Sequence, residues 1–202
     1  MKFIKSLVLV VSLMLSNVSN ASLMLWLDPA VQPGTTGDNV TLTLMAGNLD
    51  DLSSLSLGAF DLDILFDPAV LSFTGYTLFD GLGDIGLFEA LDLSLGEYAP
   101  GVVGLSEVSL LGLVLDTIQP GQFALAELSF NITLLEAPDF TTVSMTPGLF
   151  GFADASGLDF VDVEMRSALI GTQPQTTVPE PTTLSLFALG LFFASYWRKF
   201  KA

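Results

Sequence analysis

In the run from Ala124 to Thr133, Ala124, Ala126, Leu128, Phe130 and Ile132 share one parity, and Glu127, Ser129, Asn131 and Thr133 share the other. A period of two is what a strand with one dry and one wet face requires, and a helix cannot satisfy it. The pattern recurs. Val40, Leu42 and Leu44 alternate with Thr41 and Thr43; Phe60, Leu62, Ile64 and Phe66 alternate with Asp61 and Asp63 until Asp67-Pro68 stops the run, and extended structure resumes over 69–74. Met24 to Asp28, Leu91 to Leu95, Val102 to Leu111 and Thr141 to Met145 complete the set. Leu158 and Phe160 differ in parity from Val161, Val163 and Met165, which calls for a bulge or for two partly covered faces.

Pro33-Gly34, Gly47-Asn48, Pro120-Gly121 and Pro147-Gly148 supply turn signals between these runs. No helical periodicity of useful length competes. The nearest candidate, Leu82 to Leu93, is interrupted by Gly83 and Gly86 and allows a short helix or turn at most. The expectation is an all-β protein: a single β-sandwich of about nine strands with jelly-roll or Greek-key connections.

The two ends of the chain do not share this grammar. Lys2 and Lys5 precede an apolar run from Leu7 to Leu15, and Ser19-Asn20-Ala21 places small residues before a cut between Ala21 and Ser22. That is a signal peptide over residues 1–21, to be removed by signal peptidase, since the apolar run is too short for a membrane span. At the other end, residues 171–178 read as a polar linker after a body spanning 22–170. Pro179-Glu180-Pro181 then blocks regular structure before a hydrophobic helix expected over 184–197, which would rise only about 21 Å against a hydrocarbon core of roughly 30 Å. Tyr196 and Trp197 suit a membrane interface. Arg198, Lys199 and Lys201 would stay on the cytoplasmic side, leaving the body outside.

Removing both ends leaves roughly 155 residues, a size one hydrophobic core serves. The chain carries 22 acidic and six basic residues, and the only acidic residue outside this body is Glu180, whereas its only basic residue is Arg166. Such a surface repels phosphate backbones and presents no basic patch, which excludes nucleic-acid binding. The chain has no Cys and no His. Disulfides, the common zinc sites and the Ser-His and Cys-His nucleophile systems are therefore unavailable. Carboxylate chemistry and hard cations held by oxygen remain.

Val178-Pro-Glu-Pro-Thr-Thr-Leu184, the hydrophobic stretch after it and Arg198-Lys199 resemble the PEP-CTERM sorting signal of Gram-negative, exopolysaccharide-producing bacteria. The resemblance covers residues 179–202 and the Val178 that leads into them. It implies recognition by an exosortase, a membrane-embedded protease that would process the chain near Pro179-Glu180-Pro181, with Val178, Pro179, Glu180, Pro181, Arg198 and Lys199 as recognised and not catalytic residues. The tail would then hold the protein in the inner membrane only until processing, and its loss after export is the expectation; retention would make it an anchor.

The body, too, resembles a known module. Leu25-Trp-Leu-Asp-Pro29, Gly37-Asp-Asn-Val-Thr-Leu-Thr43, the long run from Gly58 to Phe73 and Ala126-Glu-Leu-Ser-Phe130 follow the order seen in cohesin-like β-sandwiches related to carbohydrate-binding modules. The resemblance implies a non-enzymatic surface or matrix protein. Its partner would be an exopolysaccharide or another surface protein.

Candidate site residues in the body are few. Asp80, Asp84 and Glu89 crowd a Gly-rich connection and could offer oxygen to calcium, although the alternating ladder of a dedicated calcium loop is missing, and no other cofactor is expected. Asp61 and Asp63 lie about 7 Å apart on one strand face, close to the spacing of an inverting glycosidase pair. In so acidic a chain such pairs arise by chance. Trp26, Tyr76 and Tyr98 could stack on a sugar ring or simply pack.

Overall fold

The computed structural model describes residues 22–49, 56–135 and 139–172. The proposed signal peptide, the linker beyond Thr172 and the sorting signal lie outside the described residues. Among the described residues twelve strands form two sheets: β1 (Leu23–Asp28), β2 (Val31–Pro33), β3 (Asn39–Gly47), β4 (Leu57–Leu65), β5 (Leu71–Leu78), β6 (Ala90–Asp92), β7 (Gly96–Ala99), β8 (Val102–Ser109), β9 (Phe123–Ile132), β10 (Phe140–Asp154), β11 (Val163–Arg166) and β12 (Ala168–Gly171). One sheet runs β11-β1-β3-β9-β5; the other runs β2-β12-β10-β4-β8-β6, with β7 also pairing with β8. From β3 onward every connection passes to the opposite sheet except the meander β6-β7-β8.

The alternation explains the core. Leu23, Leu25 and Leu27 of β1, Val40, Leu42 and Leu44 of β3, Phe60, Leu62 and Ile64 of β4, and Leu128, Phe130 and Ile132 of β9 all point inward and are buried. Each fully buried Leu or Phe contributes about 1.5–3 kcal/mol. Phe130 sits at the centre, with Phe66 and Phe73 edge-on to its ring at 5.2 and 5.7 Å.

Three sequence expectations meet a different outcome. Ala124 does not share the parity of Ala126: the β3–β9 register shifts between Leu44 and Met45, which leaves Leu125 unpaired and turns its side chain into the core. Pro147-Gly148 is no turn between strands but lies inside β10. Twelve strands appear because β2, β7 and β12 are too short to show a period. The segment 82–93 holds, as expected, no more helix than a 3₁₀ turn at Ile85–Leu87, with β6 after it, while a 3₁₀ turn at Gly112–Val114 runs into a one-turn helix, α1 (Leu115–Ile118), that no periodicity announced. No helix among the described residues is long and apolar enough to cross a membrane.

Candidate functional site

Asp61 and Asp63 stand on the outward face of β4, opposite β8 on one side and β10 on the other. β10 pairs with β4 through Pro147↔Leu62 and then through Phe152↔Phe60, so four residues, 148–151, bulge out opposite the single Asp61. The bulge is tied down by its own backbone: the Phe150 N–H donates to Asp61 Oδ2 at 2.9 Å. Gly148 leaves room for that carboxylate, since a Cβ there would stand 2.5 Å from it and push it aside, and Gly151 closes the bulge at φ +64°. The result thrusts Leu149 and Phe150 into solvent, 88% and 80% exposed.

Across the face, the meander after β6 brings Leu93, Leu95 and Tyr98 to the same surface, Leu95 being 72% exposed. The Tyr98 ring lies over Gly104 of β8, where any side chain would meet it at 3.2 Å. The Asp63 carboxylate beside its hydroxyl, followed by desolvation, holds the Tyr98 phenol above its ordinary pKa. Asp61, Asp63, Leu93, Leu95, Tyr98, Leu149 and Phe150 together line a cleft of ≈ 440 Å³. A second cleft of ≈ 330 Å³ opens on the other flank of the bulge against Phe160, Val161 and Val163. Apolar side chains standing together on a sheet face mark an interaction surface, whereas scattered ones do not.

The three calcium candidates lie at one end of the sandwich. Asp84 caps the 3₁₀ turn, its Oδ1 accepting from the N–H groups of Gly86 and Leu87 at 2.7 and 3.2 Å. Glu89 Oε2 accepts the Asp84 N–H at 3.1 Å, so these carboxylates hold the connection's own backbone. With Asp80 they border a cleft of ≈ 620 Å³ beside Gln119, whose amide grips Leu57 and Gly81 through three hydrogen bonds. Among the described residues no group of three or more acidic side chains is placed to hold a metal ion. Tyr76 donates its hydroxyl to Asp92 Oδ2 at 3.0 Å and ties one sheet to the other. Trp26 lies over Gly47 on the five-stranded sheet, away from Tyr98.

What sequence reasoning missed at this face is the bulge. Its signal was present: Gly148-Leu-Phe-Gly151 puts two adjacent apolar residues between glycines in a run that otherwise alternates.

Residues 177–199 match the PEP-CTERM protein-sorting motif. The sandwich is similar in fold to cohesins. The CaCohA2 cohesin of Clostridium acetobutylicum matches at a TM-score of 0.56 and 18% identity, covering 79% of this chain and 96% of that one. The seventh ScaB type I cohesin of Pseudobacteroides cellulosolvens matches at 0.57 and 11%, covering 79% and 97%. The sixth cohesin of Acetivibrio cellulolyticus scaffoldin B, solved in complex with a Cel5 dockerin mutant, matches at 0.56 and 15%, covering 75% and 99%. No curated protein matches the chain.

Proposed function

We propose that this chain, a cohesin-like sandwich carrying a PEP-CTERM sorting motif, is an exported, non-enzymatic surface or matrix protein that docks another surface protein. The observation that carries the docking is the outer face of the larger sheet, where Leu93, Leu95, Tyr98, Leu149 and Phe150 surround Asp61 and Asp63. Exposed apolar side chains gathered on a sheet face favour a protein partner, and the two carboxylates favour one with Lys or Arg among its apolar contacts. Similar cohesins have been solved bound to dockerins, which supports a protein partner without identifying it. A glycan is the second reading, favoured by the exposed Tyr98 beside Asp63.

Delivery follows from the two ends. Signal peptidase would cut between Ala21 and Ser22 during export across the inner membrane of a Gram-negative cell, and an exosortase would act at Pro179-Glu180-Pro181, with Val178, Arg198 and Lys199 as recognition elements. The passage of successive strands between sheets supports a jelly-roll passenger. Intact-mass spectrometry of the protein from its native host tests the delivery: a mass running from Ser22 to near residue 180 is expected. A mass that runs on to Ala202 would contradict tail removal, and unchanged processing after replacement of Pro179-Glu180-Pro181 would sink the exosortase assignment.

A further inference from the structure

Two acidic side chains are buried among the described residues, and they are treated oppositely. Asp154 is saturated with donors: its Oδ1 accepts from Ser156 N, Ser156 Oγ and Leu158 N at 2.7–2.9 Å. Glu107 of β8 is 0% exposed, and neither of its carboxyl oxygens has a hydrogen-bond partner among the described residues. It points inward with Val103 and Leu105, between Phe60 of β4 and Asp92 of β6, its register partners. Residues directly opposite in an antiparallel pair share a face with Cβ atoms about 5 Å apart, so two carboxyl groups confront each other. Asp92 is fixed there by the Ser94 N–H at 2.9 Å and the Tyr76 hydroxyl at 3.0 Å.

The charged groups bearing on Glu107 are Asp92 and, from the connection after β5, Asp80. Among the described residues no cation offsets them: Arg166, the body's only basic side chain, belongs to the other sheet and pairs with Glu164. A buried carboxylate with neither donor nor counter-ion is far costlier than the neutral acid. We propose that Glu107 is a proton-dependent latch, which lets the edge strand β6 close on β8 as the neutral acid and loosens that edge when it ionises. Burial first, then the charges of Asp92 and Asp80, push its pKa from 4.5 up to about 8, which puts the switch in the range an exported protein meets. β6 is three residues long at the open edge of its sheet, and Leu93 and Leu95 follow it into the cleft, so loosening would withdraw one cleft wall. The latch stands whether or not that face docks a partner.

The sign follows from proton counting. Between pH 4.5 and about 8 the closed form keeps a proton that the open form releases, so opening becomes easier as pH rises and levels off above about 8. Hydrogen exchange of the full-length protein, corrected for the intrinsic effect of pH, should show opening at Ala90 to Leu95 rising about tenfold per pH unit across that window. β3 and β9 should not follow. Glu107→Gln should flatten the dependence, and Glu107→Leu is the second variant should the amide fail to fold. Infrared spectroscopy of the wild type near neutral pH should show a protonated carboxyl band that Glu107→Gln removes. Persistence of the pH-dependent opening in either variant, or absence of that band from the wild type, overturns the proposal.

Discussion

The two sheets are built on the same inward pattern and differ on their outer faces. The five-stranded sheet turns Thr41 and Thr43 of β3, Glu127, Ser129 and Asn131 of β9, and Ser72 and Thr74 of β5 toward solvent, and its ion pair Arg166–Glu164 is exposed and weak. The larger sheet bulges at 148–151 and gathers exposed Leu and Phe around Asp61 and Asp63. Apolar groups kept in water contribute nothing to folding, and bulges interrupt pairing, so the larger sheet's outer face carries apolar surface that folding does not use, where these strands of the smaller sheet present polar side chains.

Variants can break this contrast in graded steps. Phe130→Ala removes the ring that Phe66 and Phe73 meet and should cost about 3–5 kcal/mol in urea unfolding, with both sheets affected alike. Asp154→Ala should cost about 1–2 kcal/mol by leaving three donors without their acceptor. Burial raises the Asp154 pKa, but hydrogen bonds from Ser156, Leu158 and Gly157 outweigh it and the net shift is downward. Its contribution is therefore present above the ordinary value of 3.8 and lost as pH falls through the folded value, so the variant should flatten the acid side of the stability profile. Gly148→Ala forces the Asp61 carboxylate off the Phe150 N–H and should cost about 1 kcal/mol, read most clearly as faster exchange of that amide. The double change Leu149→Ser and Phe150→Ser should move stability by no more than about 0.5 kcal/mol while abolishing docking, which separates contact from folding.

Much of the sandwich was legible because β3, β4 and β9 are long enough for period two to show, and their inward residues form the core. The misses have local physical causes. Three or four residues, as in β2, β7 and β12, carry no period, and at Leu125 a single unpaired residue reverses the parity that its neighbours imply. The candidate face was legible only in parts. Asp61, Asp63 and Tyr98 each drew notice, but their meeting with Leu149 and Phe150 depends on β4 pairing with both β8 and β10, contacts between segments far apart in the chain. Asp84 and Glu89 show the converse: their carboxylates accept backbone N–H groups of their own connection, contacts that no residue spacing announces.

The central claim is that the larger sheet's outer face, and not the smaller one's, meets another protein. A photo-crosslinking residue at Leu149 should be compared with one at Thr41 in the protein displayed by its native host, with the adducts identified by mass spectrometry. The account predicts a protein adduct from position 149 and none from position 41. No adduct at 149, equal capture at both, or a glycan in place of a protein would contradict it.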